Sequence, residues 1–208
     1  MSGGHPGDPE YGCGGTVARL TAAGAEVVML YLNRGEKTCP SPAPDAEPRV
    51  AEARKACEIL HARPVFVPQC DAHSIVDRPH YDEFRAIIAA EKPDVLLTQW
   101  PVDNHPDHRA VSSLAYDAWN KLGRSFALYF YEVSDGEDTQ MFQPTTYVDI
   151  TAVEPLKRAA CYAHASQSPD RYYALETQVA KFRGIESGYP LAEAFARHPR
   201  SPAAGLLG

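Results

Sequence analysis

Two short segments of this sequence join histidine, proline and aspartate. The first reads HPGD at residues 5–8, and the second reads DNHPDH at residues 103–108. Imidazole nitrogens and carboxylate oxygens are ligands that zinc binds well. His5 and Asp8 stand three residues apart in a tight turn and can supply two ligands, while a histidine of the second segment supplies a third. Three protein ligands leave one position for water, as in a hydrolytic metal site.

His-Pro pairs also have an ordinary structural role. A single pair is most often a surface turn, in which proline stiffens the backbone. Two such pairs in one chain, each with an aspartate beside it and each before a predicted helix, favour metal binding. No such surroundings are present at His61, His73, His80 or His198, and we expect surface or packing roles for these histidines.

Short apolar, β-rich runs alternate with longer segments of helical apolar spacing. This alternation predicts an α/β fold, a Rossmann-like three-layer sandwich with a mostly parallel sheet. Sites in such sheets lie at the carboxyl ends of the strands, where both His-Pro segments fall. We predict a single domain over residues 1–196 and a loose tail over 197–208. The predicted strands cover residues 25–32, 64–69, 94–100, 126–133 and 145–151, and the predicted helices cover 15–24, 49–61, 81–93, 108–123, 154–167 and 171–188.

The composition narrows the class of protein. The chain has 208 residues and a formal net charge of −7, and it has no basic cluster, which argues against a nucleic-acid partner. No apolar run approaches the ~20 residues that span a bilayer. The first residues lack the charged and then apolar pattern of a signal peptide, so we expect a cytoplasmic protein. The five cysteines are widely spaced without a C-x-x-C pair, so we expect buried thiols and no disulfide framework.

Several segments, in this order, resemble the LmbE-like or PIG-L-type zinc-dependent deacetylases, which remove the acetyl group from N-acetylglucosaminyl conjugates. The resemblance covers most of the chain, and its strength comes from the number of segments, since each alone is weak. It rests on HPGDPEYGCGGT (5–16), LYLNRGE (30–36), RVAEARKACEIL (49–60), PDVLLTQWPVDNHPDHRAV (93–111), YVDIT (147–151), AHASQ (163–167) and RGIESGYPLAEAF (183–195).

The resemblance implies roles for the residues that match the family's motifs. It implies one Zn²⁺ per chain, bound by His5, Asp8 and His108. His105 would stabilise the oxyanion or protonate the leaving amine, and Asp107 would orient a histidine.

Three further residues are implied to contact an amino-sugar conjugate, and each has an ordinary alternative. These are Arg49, Asp71 and His164. In the alternative, Arg49 is an exposed residue at the start of a helix, Asp71 is a turn residue and His164 is a buried histidine of a helix.

Gly7 departs from the family's opening phrase, which is usually H-P-D-D. The first aspartate of that phrase takes a proton from the attacking water, and glycine has no side chain for this task. A positioned base contributes ~10²–10⁴ in rate, so activity is expected to be reduced rather than absent. Candidate substitutes by sequence are Glu10, Asp103 and Asp107.

Two other functions compete with deacetylation. The Gly7 substitution supports a family member that binds metal but has lost catalysis, or that acts on a different amide. The glycines of GCGG (12–15) suggest a nucleotide-binding domain, but position 17 is Val17, so the G-x-G-x-x-G spacing is absent.

The start of the chain is a second departure. The family begins with an apolar strand of about six residues, whereas only MSGG precedes His5. A missing central strand would leave two unpaired neighbours. Either the reading frame starts upstream or another segment fills the gap, and we expect the former. Assembly into a homo-oligomer stays open.

Overall fold

The computed structural model describes residues 1–203 and 205–206. Its strands are β1 (Ser2–Gly3), β2 (Val28–Asn33), β3 (Arg63–Gln69), β4 (Val95–Gln99), β5 (Ala127–Tyr131), β6 (Thr146–Asp149) and β7 (Ala192–Arg197). Its helices are α1 (Asp8–Ala22), α2 (Glu47–Ile59), α3 (Arg78–Glu91), α4 (Pro106–Lys121), α5 (Glu154–Tyr162) and α6 (Pro169–Ser187).

All seven strands belong to one sheet, in the order β3-β2-β1-β4-β5-β7-β6. The first five strands pair in parallel, while β7 runs antiparallel to both of its neighbours. The predicted α/β fold with a mostly parallel sheet is therefore confirmed. Because β1 lies between β2 and β4, the strand order reverses at β1, and this reversal opens the crevice in which such sheets bind ligands.

Strand β7 was not predicted, because its sequence AEAFAR lacks the β-branched residues that mark strands. Its last residue, Arg197, falls within the predicted tail. The tail is also tied to the sheet at Ser201, whose Oγ accepts a hydrogen bond of 2.9 Å from the backbone N–H of Leu128. Residues 204, 207 and 208 of the predicted tail lie outside the described residues.

The middle of the sheet is occupied by a very short strand. Ser2 of β1 pairs with Leu30 of β2 and with Thr98 of β4. The amino group of Met1 donates a hydrogen bond of 2.7 Å to the carbonyl of Val28. Beyond Met1 a cavity of about 410 Å³ separates the remaining parts of β2 and β4. The expected gap between β2 and β4 is thus filled only at the end of the sheet that leads to His5.

The sheet is covered on both faces, and alternate residues of its strands face opposite cores. Leu97 of β4 packs in the core that includes residues of α1, α2 and α5. Its neighbour Leu96 packs in the core that includes residues of α3 and α4, where Trp119 is fully buried. This period of two follows from the pleat of a strand. The result is the predicted three-layer sandwich.

Helix α1 starts earlier than predicted, so the GCGG glycines lie inside a helix rather than in a turn. The reason is close packing against the sheet. A Cβ atom on Gly12 would lie only 2.3 Å from Cδ2 of Tyr131 in β5. The glycines therefore form a packing surface, which removes the loop that a nucleotide-binding reading requires.

Helix α6 is the longest helix, with 19 residues. Charged residues occur along the whole length of this helix. Within the described part of the chain, no helix combines the length and the apolar character needed to cross a membrane.

A buried ion cluster joins α1, α5, α6 and β7. The Nζ atom of Lys157 lies 2.7 Å from Oε1 of Glu176 and 2.8 Å from Oε1 of Glu193. Glu193 also accepts hydrogen bonds from the backbone N–H groups of Gly15 and Thr16 in α1. One ammonium group therefore offsets two carboxylates that are shielded from water, and the cluster joins four elements.

Replacement of Lys157 by Met should destabilise the fold, because two carboxylates would remain buried without a cation. Removal of one partner from a buried ion pair costs about 3–5 kcal/mol, and we expect a loss of that size in the free energy of unfolding. Urea denaturation followed by circular dichroism measures it. The exposed Lys181→Met variant is the control and should match the parent. Equal stabilities of both variants would contradict this account.

Candidate metal and substrate site

A pocket of about 250 Å³ opens at the carboxyl ends of the parallel strands. Loops after β1, β3, β4 and β5 contribute to it, together with residues near α2 and α5. Both predicted His-Pro segments reach this pocket, as expected for the edge where parallel strands end. Its lining residues are His5, Pro6, Gly7, Asp8, Tyr11, Arg49, Asp71, His105, His108, Val133, Ser134, Asp138, His164, Gln167 and Tyr172.

The carboxylate of Asp8 lies between two imidazole rings. Its Oδ2 atom is 3.1 Å from Nδ1 of His5 and 3.2 Å from Nε2 of His108. Two ligand atoms bound to zinc at 2.0–2.1 Å with tetrahedral angles lie about 3.3 Å apart. Each of these two contacts therefore has a separation close to that of neighbouring ligands on a tetrahedral ion.

The second nitrogen of each ring is held by another carboxylate. Nε2 of His5 lies 3.0 Å from Oδ2 of Asp107, and Nδ1 of His108 lies 3.0 Å from Oδ1 of Asp103. Both aspartates are buried. This arrangement orients each ring and keeps its other nitrogen directed at Asp8, as is typical of histidines that bind metal.

The charges in this cluster suit a cation. Burial opposes the charged form of His108, yet Asp8 and Asp103 raise its pKa to about 9. Burial likewise works against the charge of Asp8, but His108 and His5 keep its pKa well below the usual value. Carboxylates thus favour positive charge on both rings, and this preference extends to a bound metal ion.

His105 lies at the start of α4, beside the other two histidines. Its ring centroid is 4.5 Å from that of His5 and 4.7 Å from that of His108. Burial and the charges of these two rings lower the pKa of His105. Its Nδ1 accepts a hydrogen bond of 3.2 Å from the backbone N–H of Asp107, so a neutral ring carries its proton on Nε2. The ring can therefore donate a hydrogen bond through Nε2.

Ligand atoms of His5, His105 and His108 lie within 4.8 Å of one another. A second group with the same spacing consists of His5, Asp71, His105 and Asp107. The chain thus has a His/Asp group that could hold a metal ion.

Arg49 and Asp71 meet at the edge of the pocket. The guanidinium of Arg49 lies 3.5 Å from Oδ2 of Asp71 and donates a hydrogen bond of 3.0 Å to the carbonyl of Pro6. Oδ1 of Asp71 is 3.1 Å from Nε2 of His5. Both residues line the pocket, and Asp71 also supports His5. Their predicted contacts with a sugar stay predictions.

His164 forms the wall behind Gly7. It is fully buried, and its Nε2 lies 3.0 Å from Oε1 of Glu10, while its Nδ1 has no hydrogen-bond partner among the described residues. A Cβ atom added at Gly7 would meet the ring of His164 at 3.8 Å. His164 lines the pocket although it is buried, and its predicted contact with a sugar stays a prediction.

Gly7 has a backbone conformation that other residues avoid, with φ 113° and ψ −41°. Space for a side chain exists, because the nearest atoms would lie at ordinary contact distance. The backbone, rather than crowding, therefore disfavours an aspartate at this position.

The three carboxylates that the sequence suggested as substitute bases already contact other side chains or backbone groups. Asp103 contacts His108 through Oδ1 and Thr139 through Oδ2. Asp107 contacts His5 and accepts from the backbone N–H groups of residues 72 and 74. Glu10 contacts Tyr31 and His164 through Oε1 and is fully buried, and it does not line the pocket. These residues position other groups.

A disulfide contradicts our expectation of unpaired cysteines. Cys39 and Cys70 are bonded, with Cα atoms 5.9 Å apart. The bond joins the loop after β2 to the end of β3, next to Asp71. The wide sequence separation of 31 residues concealed the pair, because only the fold brings the two segments together. The other three cysteines are buried thiols, as expected.

Sequence reasoning also missed Asp138, Tyr11, Gln99 and Tyr172. Gln99 donates a hydrogen bond of 3.2 Å to Asp8 through Nε2, and the other three residues line the pocket. The loop after β5 that contains Asp138 has no His-Pro phrase or other motif. Its position after a predicted strand was the only available signal.

Residues 2–119, more than half of the chain, match the PIG-L family, described as GlcNAc-PI de-N-acetylase. The chain belongs to the PIG-L family. It is 29% identical over 213 residues to the diacetylchitobiose deacetylase of Thermococcus kodakarensis, covering 91% of this chain and 78% of that protein.

Solved structures share the fold. The conserved protein TT1542 from Thermus thermophilus is 28% identical, with a TM-score of 0.82 over 98% of this chain and 95% of that one. The 4-carboxy-2-hydroxymuconate hydratase from Pseudomonas putida is 22% identical, with a TM-score of 0.81 over 98% and 97%. The fold of this chain is thus shared with a hydratase.

Replacement of Gly7 by Ala should lower the free energy of unfolding by about 1–3 kcal/mol, because an L side chain is strained at this φ. Thermal and urea denaturation measure the loss. The exposed helix substitution Ser113→Ala serves as the control and should have little effect. A Gly7→Ala variant as stable as the parent would show that the backbone relaxes without cost.

Replacement of His108 by Ala should abolish metal binding, because one of the three predicted ligands is lost. We expect the metal content to fall from about one ion per chain to near zero after dialysis, as measured by plasma mass spectrometry. The His80→Ala variant, altered on α3 outside the pocket, should keep its ion. Equal metal content in both variants would refute the ligand assignment.

Proposed function

We propose that this protein removes the acetyl group from an N-acetylglucosaminyl-type conjugate, using one Zn²⁺ held by His5, Asp8 and His108. The observation that carries the proposal is the position of Asp8 Oδ2, 3.1 Å from His5 Nδ1 and 3.2 Å from His108 Nε2, inside an open pocket. Membership of the PIG-L family and the likeness to a diacetylchitobiose deacetylase support the choice of substrate class.

Zinc is preferred over other ions because two imidazoles and one carboxylate form a typical catalytic zinc set. When bound, the ion would supply a Lewis acid that polarises the acetamide carbonyl and activates water. Asp103 and Asp107 keep the two ligand rings in the correct tautomer and orientation through the hydrogen bonds described above.

His105 is proposed to act on the carbonyl oxygen. Its Nε2–H can donate to the oxyanion that develops as the tetrahedral intermediate forms, or it can pass a proton to the leaving amine. The low pKa of His105 suits the first role, because a neutral imidazole is then present at neutral pH. A hydrogen-bond donor aimed at a developing oxyanion typically contributes ~10²–10³ in rate.

The polar edge of the pocket is proposed to bind the sugar. Arg49 and Asp71 present a guanidinium and a carboxylate beside His5, and both types of group bind hydroxyls well. The aromatic rings of Tyr11 and Tyr172 lie on the pocket wall and offer apolar faces.

A second candidate function is binding without hydrolysis, or action on another amide. The observation in its favour is Gly7, which leaves the usual position of the base without a side chain. Its ligand site would still take up zinc. Catalysis therefore separates the two candidates, whereas metal content does not.

Release of acetate from N,N′-diacetylchitobiose by the zinc-loaded protein tests the proposal. We expect turnover in the parent and a fall of kcat by ~10²–10³ in His105→Ala, since the oxyanion donor is lost while the ligands remain. Zinc content should be unchanged in that variant, and His80→Ala should keep full activity. A zinc-loaded parent that releases no acetate from any acetylated amino sugar would favour the binding role.

A further inference from the structure

Three carboxylates line the pocket, and only one of them is unpaired. Asp8 contacts two histidines, and Asp71 contacts His5 and Arg49. The third is Asp138, in the loop after β5. Its side chain makes no hydrogen bond or ion pair with any residue that the structure describes, and it is partly exposed to the pocket.

The loop that carries Asp138 is fixed to the same residues that support the ligands. Oγ1 of Thr139 lies 3.1 Å from Oδ2 of Asp103, the residue that orients His108. The backbone of Asp138 donates a hydrogen bond of 2.8 Å to the carbonyl of Ser134 and accepts one of 3.0 Å from the N–H of Asn104. Asp138 is therefore held in place by its main chain while its carboxylate remains free.

The electrostatic surroundings of Asp138 suit a group that accepts and returns a proton. Burial raises its pKa above the usual value, and the carboxylates of Asp103, Asp8 and Glu137 act in the same direction, while His108 opposes them. A base whose pKa lies nearer to the working pH transfers protons more effectively.

We propose that Asp138 is the general base of this protein and replaces the side chain that Gly7 lacks. The inference rests on the proposed deacetylase function. It follows from the unpaired carboxylate in the pocket, from the loop that anchors it to Asp103, and from the engagement of the three other candidates, Glu10, Asp103 and Asp107.

The step conserves atoms and charge. The oxygen of the attacking water bonds to the carbonyl carbon, and one water proton moves to a carboxylate oxygen of Asp138. When the carbon–nitrogen bond breaks, its electron pair goes to nitrogen, which takes that proton from Asp138. The second water proton follows to the amine, so acetate and an ammonium product leave and Asp138 is ionised again. His105 then serves the oxyanion alone.

The Asp138→Asn variant tests this assignment against Glu137→Gln, which removes a neighbouring exposed carboxylate from the same loop. On N,N′-diacetylchitobiose, zinc-loaded Asp138→Asn should lose ~10²–10⁴ in kcat with little change in KM, and Glu137→Gln should stay within about threefold of the parent. Both variants should keep their zinc.

A second measurement is independent of turnover. The Asp138 carboxyl carbon can be followed by NMR in protein labelled with ¹³C-aspartate, and its signal is identified by its absence in Asp138→Asn. We expect its titration midpoint to fall when Zn²⁺ is added to the metal-free protein, because a nearby cation favours the ionised carboxylate. The signal of the remote Asp94 should not move.

The outcomes separate this inference from the proposed function. An active parent with an equally active Asp138→Asn variant would overturn the base assignment and leave deacetylation intact. A midpoint unaffected by Zn²⁺ would overturn it as well, since Asp138 would then lie too far from the ion. A parent that cleaves no acetylated amino sugar would overturn both.

Discussion

The shared contact of Asp8 with His5 and His108 is the interaction on which the site depends. It joins the loop after β1 to the start of α4, two segments about 100 residues apart in sequence. The contact is possible because β1 and β4 are neighbours in the sheet and end at the same edge. Like charges or apolar groups at these positions would leave buried polar atoms unpaired, so the polar side chains of the two segments depend on one another.

Further polar groups around this contact hold its side chains in position through hydrogen bonds. Asp107 and Asp103 hold the two rings, and Thr139 holds Asp103 in turn. Thr139 belongs to the loop after β5, which means that this loop is coupled to His108 through a chain of hydrogen bonds. A shift of that loop would therefore change the orientation of the His108 ring through Thr139 and Asp103.

Much of the fold, and the meeting of the two His-Pro segments at one edge of the sheet, could be predicted from the sequence. The runs at residues 25–32 and 94–100 have the apolar pattern of buried strands, and the His-Pro phrases mark the loops that follow strands. Strand β7 was missed because its alanines carry little β-propensity, and its pairing is determined by distant partners.

The remaining errors have a common physical origin. The bond between Cys39 and Cys70 and the place of Asp138 in the pocket depend on how loops far apart in sequence meet, which no local pattern records. Gly7 illustrates the reverse case. Its lost side chain is visible in the sequence, but the positive φ that accompanies the loss is visible only in the structure.

The two-residue strand β1 has a consequence for the whole molecule. The segment before His5 is held in the sheet by a strand of two residues and by a few hydrogen bonds of Met1 and Gly4, and a cavity lies beyond Met1. An ion bound to His5 and Asp8 would add its binding free energy to the folded state alone, about 4 kcal/mol at a free concentration ~1,000 times its dissociation constant. The melting temperature of this protein would then rise with the concentration of free metal.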